Sequence, residues 1–259
     1  MLVVESAWFG YDERAPVLRD VSVEIPADGL VGILGPNGSG KTTLLRLLAG
    51  TRRPQRGSVT LDGQPLSALS RAALARRMAV VPQDTHLAFD YTAGEVSMMG
   101  RYPHLGTFQV EGPRDIGIVE GALAATGTLA LKGRSFATLS GGEKQRVVIA
   151  AALAKIESGV LLLDEPTASL DLGYQLEVVS LLARLHAERQ LAVVISTHDL
   201  NLAASLCRSL VLLRDGQVLA IGPTADVLTT GNIRRLYGVD ADVIEHASGH
   251  RVVVGLRRV

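Results

Sequence analysis

Eight consecutive residues, Gly35, Pro36, Asn37, Gly38, Ser39, Gly40, Lys41 and Thr42, match the pattern G-x-x-x-x-G-K-S/T in full, with Thr43 following. The run lies directly after the apolar stretch Leu30–Leu34 and opens a helical pattern over 42–49. The glycines let the backbone take positive φ, so successive N–H groups can converge on one anion, and the helix behind them adds its positive end. Lys41 supplies a cation for the β- and γ-phosphates of a nucleotide, and the Thr42 hydroxyl is a magnesium ligand. A chance glycine-rich turn has no need of the strand before it or the helix after it.

A second acidic group lies downstream. The apolar run 160–163 ends in two carboxylates, Asp164 and Glu165. Beside a phosphate loop, Asp164 is a candidate to hold magnesium through its water shell. Glu165, on the other face of the chain, is a candidate to orient or deprotonate an attacking water. Alone, the pair reads equally well as an acidic turn. Residues 139–143, Leu-Ser-Gly-Gly-Glu, carry two readings. Ser140 and Glu143 fit a helix capping box. Gly141 and Gly142 are not required by such a box, and they leave helix N–H groups open to a phosphate. The phosphate loop already has a helix end, so a second open one points to nucleotide bound by another copy.

Elements must hold these groups. Strand-length runs at 2–7, 21–25, 30–34, 58–61, 79–81, 160–163, 192–196, 210–213 and 217–221 alternate with helical patterns, which predicts a mostly parallel sheet with crossover helices. Apolar residues at Leu172, Leu176, Val179, Leu182 and Leu185 predict a one-faced helix over 172–188. From 85 to 158 strand signals stop and helical segments (93–99, 115–125, 141–155) take over, as in a helical subdomain inserted between two strands. The tail, 222–259, carries helical pieces at 225–228 and 233–237 and a last strand at 251–254.

Composition narrows the function classes. The 259 residues are 47% hydrophobic and 20% charged, the profile of a globular enzyme and not of a disordered chain. Equal numbers of basic and acidic side chains, 26 each, leave no global field for nucleic acid or anionic lipid. The single cysteine, Cys207, reads as a buried small hydrophobe. No disulfide framework and no leader-like start point to the cytosol. No apolar run approaches the roughly 20 residues that cross a bilayer, so any membrane role goes through a partner. The remaining histidines, His86, His104, His186, His246 and His250, show no ligand spacing.

Together these motifs resemble the nucleotide-binding subunits of ABC transporters over nearly the whole chain. Residues 35–42 look like the Walker A loop, 160–165 like Walker B and 139–143 like the ABC signature. The resemblance implies further residues. Gln83 is similar to the glutamine that touches magnesium and the attacking water and senses the permease. Asp171, in Ser-Leu-Asp, resembles the D-loop aspartate. His198 resembles the switch histidine that contacts the γ-phosphate. Tyr11 stands where the family stacks an aromatic on adenine, with Trp8 and Phe9 as alternatives. The implied fold is a single P-loop NTPase domain over 1–259, α/β with a mostly parallel core sheet. It has an N-terminal antiparallel β part, a helical subdomain at 85–158 and a short C-terminal element at 222–259. ATP and magnesium are the implied cofactors.

Residues 99–106, 170–177, 198–203 and 233–238 resemble the branch that imports ferric siderophores, haem or cobalamin. Two departures, Ala93-Gly94 and the length of 156–159, are read as surface-facing. The implied assembly is a head-to-tail pair of copies on the cytoplasmic face of the inner membrane. Integral permease subunits, a substrate-binding protein and permease contact through 85–104 belong to it, and nucleic acid does not. The rivals are a soluble ABC-type ATPase acting on nucleic acid or ribosomes, a P-loop nucleotide switch, and the ATPase of an exporter. The first lacks its long heptad insertion or second domain, the second its N-K-x-D motif, and the third shares every motif.

Overall fold

The computed structural model describes residues 1–12, 15–85, 89–106, 108–156, 158–247 and 249–258. His86, and residues 86–88 of the segment read as a permease contact, lie outside the described residues, as does Glu157. In chain order the first elements are β1 (Leu2–Phe9), β2 (Leu18–Ile25), β3 (Leu30–Leu34), α1 (Lys41–Leu48), β4 (Arg56–Leu61), β5 (Gln64–Pro65), α2 (Arg71–Arg77) and β6 (Met78–Val81). Then come α3 (Ala93–Met98), α4 (Pro113–Ala125), α5 (Gly141–Lys155), β7 (Val160–Asp164), α6 (Leu172–Arg189) and β8 (Ala192–Thr197). The last are α7 (Leu200–Leu206), β9 (Ser209–Arg214), β10 (Gln217–Pro223), α8 (Thr224–Val227), α9 (Thr230–Tyr237), β11 (Val239–Glu245) and β12 (Arg251–Arg258).

The chain forms two compact units, Met1–Leu69 with Ala192–Val259, and Ser70–Leu191. In the first, β3 pairs in parallel with β8 on one side and β9 on the other, and β10 adds antiparallel to β9. Every residue of β3 and β8 is buried. Strands covered on both faces read as continuous apolar runs, which is why the sequence showed them so clearly. A separate antiparallel sheet has the order β2-β1-β4-β5. Buried Cys207 lies beside Gly32, and burial pushes its thiol up to about 12, so it stays protonated and behaves as an apolar residue.

In the second unit β6 and β7 pair in parallel. Helices α3, α4 and α5 lie between them in sequence, around a core of Ala93, Val96, Phe136, Leu139 and Val147. Gly100 faces α5 so closely that a Cβ there would lie 2.1 Å from the Ala151 carbonyl oxygen. Next to it, Arg101 is buried, donating from Nε to Asp115 Oδ1 at 2.9 Å and from a terminal nitrogen to the Ala154 oxygen at 2.8 Å. The Gly-Arg step of 99–106 thus ties α4 to the end of α5.

Three sequence readings change. Ala93 and Gly94 are buried, not surface-facing: their N–H groups donate to the Arg134 and Lys132 oxygens at 2.9 and 2.8 Å, and a Cβ on Gly94 would lie 2.9 Å from Lys132 Cγ. In 156–159, Ile156 is buried, and Gly159 has φ +132° with a would-be Cβ 2.0 Å from the Arg77 oxygen. Ala93, Gly94, Ile156 and Gly159 are packing positions. Finally, α6 does not bury one continuous stripe. Leu172 and Leu176 are 71% and 58% exposed, and burial begins at Val178.

Each helix of the 93–155 region starts on a carboxylate. Glu95 accepts from the Thr92 N–H, Asp115 from the Gly112 N–H and Glu143 from the Ser140 N–H. The bond from its cap residue's N–H is the largest cause holding each carboxyl below its ordinary value; the Thr92 hydroxyl adds to it for Glu95, the Arg101 guanidinium for Asp115 and the Ser140 hydroxyl for Glu143. A carboxyl depressed in the folded state contributes stability that is complete above its unfolded value and is lost as pH falls through the folded one. Urea midpoints measured from about pH 6 downward should therefore fall on acidification, starting near the ordinary carboxyl range of about 4. The fall should be shallower in Glu95→Gln/Glu143→Gln; equal slopes in the two proteins would contradict this account.

Candidate functional site

In the first unit the site grows from the exit of β3. Gly35 cannot carry a side chain, because a Cβ would lie 2.2 Å from the Leu213 oxygen and 2.5 Å from Ser39 Oγ. Gly38 and Gly40 have φ of +80° and +104°, the left-handed region in which an L side chain is strained. At Gly38 nothing lies within 4 Å of a would-be Cβ, so the loop's apex is open. Lys41, buried, donates from Nζ to the Gly35 and Pro36 oxygens at 2.8 and 3.3 Å. The Ser39 N–H donates to the Pro36 oxygen at 3.2 Å, and Ser39 Oγ is buried with no hydrogen-bond partner. Asn37, Thr42 and Thr43 complete the run, with Thr43 buried on α1.

Two other predicted residues meet this loop. Strand register sets Leu34 opposite Thr197, so Gly35 and His198 leave neighbouring parallel strands at the same end. That end is where open α/β sheets bind ligands. Tyr11 Oη lies 3.4 Å from Thr43 Oγ1 and accepts from Arg46 at 2.6 Å. Partial burial works to raise its phenol, but the bonds with Thr43 and Arg46 and the charges of Arg46 and Arg52 carry it below its ordinary value. Of the three aromatic candidates, Phe9 is buried with its ring at right angles to Tyr11, Trp8 is half-buried, and Tyr11 is 54% exposed.

In the second unit, Val81 and Leu163 are paired at the ends of β6 and β7. The chain continues from one to Gln83 and from the other to Asp164 and Glu165. Asp164 and Glu165 are both buried, and Glu165 has φ +48°, uncommon for a side chain of its type. Gln83, Glu165, Gly141 and Ser169 line one cavity of about 160 Å³. Asp171 does not line it; its Oδ1 accepts from the Tyr174 N–H at 3.2 Å and caps α6. Several residues of this cavity escaped the sequence reading, Gln145 among them. Its Nε2 is buried and unpartnered. Its signal was the four-residue step from Gly141, which sets both on one helix face.

The 139–143 segment answers both of its readings. Ser140 Oγ accepts from the Glu143 N–H at 3.3 Å while Glu143 accepts from the Ser140 N–H at 2.8 Å, a complete capping box. Gly142 is buried, and a Cβ there would lie 2.5 Å from Tyr174 Cδ1; that glycine is required by packing inside the chain. Gly141 is exposed, with only Leu170 Cδ2 at 3.3 Å from a would-be Cβ. The open approach to the helix start is therefore at Gly141.

A family model described as ABC transporter matches residues 18–168, more than half of the chain. This chain belongs to the ABC transporter family. As an ATP-binding domain of that family it is an ATPase. The ABC chain is 42% identical over 240 residues to the hemin import ATP-binding protein HmuV of Bordetella pertussis (strain Tohama I), with 90% of each chain covered. It is 44% identical over 221 residues to the cobalamin import ATP-binding protein BtuD of Halobacterium salinarum (strain R1), covering 85% of this chain and 55% of that protein. Among solved structures, a chain of a metal-chelate type ABC transporter in an inward-facing conformation is 30% identical, with TM-score 0.86 and coverage of 98% and 96%. A dimeric ATP-binding cassette in a post-hydrolysis state, bound to ADP and Pi, is 27% identical, with TM-score 0.75 and coverage of 86% and 99%.

Within this ABC domain the Gly142–Tyr174 contact separates packing from ligand chemistry. Gly142→Ala should destabilise the protein by about 1–3 kcal/mol through overpacking. The double variant Gly142→Ala/Tyr174→Ala should recover part of that loss in a denaturation experiment. No recovery would show that the glycine is not required by the ring.

Proposed function

We propose that this chain is the ATP-hydrolysing subunit of a membrane importer for an iron-siderophore, haem or cobalamin type metal chelate. One observation carries the importer part: relatives named for hemin and cobalamin import match over 85–90% of the chain at 42–44% identity. The hydrolytic part is supported by the open cradle after β3 and by the cavity that Gln83 shares with Glu165.

The residues divide the work by chemistry. Main-chain N–H groups of Gly35, Asn37, Gly38, Ser39 and Gly40 hold phosphate oxygens, while Pro36, which has no N–H, shapes the loop between them, and the buried, unpartnered Ser39 Oγ supports a loop that keeps polar capacity unspent within the chain. Lys41 exchanges its carbonyl partners for β- and γ-phosphate oxygens. Thr42 and Thr43 follow on the first turn of α1, and Tyr11 offers its exposed ring to adenine. Glu165 accepts a proton from the water that attacks the γ-phosphorus, Gln83 orients that water, and His198 donates to the departing phosphate. Among the described residues no group of three or more His, Cys, Asp or Glu side chains is built to hold a metal ion. The donors proposed for magnesium are the oxygens of Thr42, Gln83 and Asp164, hard ligands of the kind that ion takes together with phosphate and water. When bound, magnesium neutralises charge on the phosphates.

Ser140, Gly141 and Asp171 serve a second copy, with Gly142 seating the helix start against Tyr174, and the two copies close head to tail so that each signature segment meets the other's nucleotide. Among the described residues no helix is long and apolar enough to cross a membrane. In this reading the chain works peripherally, on the cytoplasmic face of the inner membrane, against separate permease subunits and with a substrate-binding protein completing the system; the relatives named as import ATP-binding proteins support it. The permease contact is 85–104, following Gln83.

The test compares steady-state hydrolysis in wild type, Glu165→Gln and Lys41→Ala. Glu165→Gln should lose about 10²–10³ in turnover while still binding ATP, and Lys41→Ala should lose nucleotide affinity as well. With MgATP, Glu165→Gln should elute as a dimer by light scattering. Turnover at the wild-type rate in Glu165→Gln would remove Glu165 from the chemistry.

A further inference from the structure

His198 is exposed between the end of β8 and the start of α7, in a segment whose neighbouring residues bond to one another. The Asp199 N–H donates to Thr197 Oγ1 at 3.1 Å, and Asp199 Oδ1 accepts from the Asn201 and Leu202 N–H groups at 2.9 and 3.0 Å. Two longer ties come from the C-terminal part of the same unit. The Asn201 side chain accepts from the Val253 N–H at 2.7 Å and donates to the Val253 oxygen at 3.2 Å, taking both main-chain groups of one β12 residue as a neighbouring strand would. Tyr237, the last residue of α9, donates from its hydroxyl to the His198 oxygen at 3.4 Å. His198, Asn201, Tyr237 and Val253 line one cavity.

The donors of these ties are anchored in turn. Ile233, Leu236, Ala241 and Val253 are buried. Arg251 donates to the Leu228 oxygen at 2.9 Å, and Asp240 pairs with Arg257 at 2.9 Å and with Arg234 at 3.7 Å. A seven-residue helix such as α7 is too short to hold its own first turn, and a two-stranded hairpin is marginal on its own. Each element supplies what the other lacks, and His198 sits at the junction.

We propose that α9 and the β11–β12 hairpin form a positioning element for His198, with Asn201 and Tyr237 as its positioning residues. The inference rests on the reading of His198 as the γ-phosphate contact. Asn201 ties the start of α7 to β12 and the Tyr237 hydroxyl reaches the main chain of His198 itself, so the imidazole approaches the phosphate from a defined origin. Displacing a reacting group by about 1 Å can cost on the order of 10²-fold in rate.

A mutant cycle on the full-length chain tests this. ATP hydrolysis, KM for ATP and the stoichiometry of bound nucleotide are measured for His198→Ala, Asn201→Ala and Tyr237→Phe, and for each of the last two combined with His198→Ala. Asn201→Ala should lower kcat about tenfold at unchanged KM and stoichiometry, yet change it by less than about twofold once His198 is gone. Tyr237→Phe removes one oxygen and should show the same pattern more weakly, and it carries the cycle should Asn201→Ala lose nucleotide stoichiometry through misfolding. The same fractional loss in both backgrounds, or wild-type kcat in the single variants, overturns the positioning role while leaving His198 in place. Wild-type turnover in His198→Ala overturns the reading of His198, and the inference falls with it.

Discussion

Main-chain N–H groups can hold a polyanion only if the backbone that carries them is fixed before the anion arrives. Free peptide would spend the binding energy on ordering itself. Here the fixing element is β3, buried at all five positions and hydrogen-bonded in parallel on both sides. Its last residue leads into Gly35, which is packed so tightly against the Leu213 oxygen that no side chain fits. The loop therefore starts from a rigid point, and the positive φ values at Gly38 and Gly40 bend it back onto α1. The same register delivers His198 at the neighbouring strand end.

The second unit repeats the arrangement with different chemistry. Paired parallel strands end together at Val81 and Leu163 and deliver a glutamine and two carboxylates. Glu165 is held in a left-handed backbone conformation at the head of a turn closed by the Ala168 N–H to its oxygen at 3.2 Å. Backbone in that region costs about 1–3 kcal/mol and persists where the surroundings over-determine it, often at working sites. The helices between these two strands in sequence, α3 to α5, are held by carboxylate caps and by the buried Arg101–Asp115 pair.

Much of this was legible because doubly covered parallel strands and a complete phosphate-loop motif leave strong local signals. The β3, β7 and β8 runs and the capping box at Ser140 needed no tertiary knowledge. What escaped depended on partners far away in sequence. Gly142 read as room for a ligand because nothing local announces Tyr174, thirty-two residues on. Ala93-Gly94 read as surface because the backbone that covers it, at Lys132 to Arg134, is remote. Leu172 and Leu176 fit a helical stripe by spacing, yet spacing does not tell which turns meet a neighbour. The β11 strand and α7 were missed because each is short and leans on β12, β11 by strand pairing and α7 through Asn201 and Val253. The tail's role at Asn201 was invisible for the same reason.

The central claim is that this ATPase works for a membrane permease. Its most direct test is to purify tagged Glu165→Gln protein with MgATP from native membranes and identify what accompanies it. The account predicts recovery of a many-helix permease, with a metal-chelate ligand or its binding protein. Recovery of soluble or nucleic-acid partners alone would contradict it and leave only the ATPase chemistry standing.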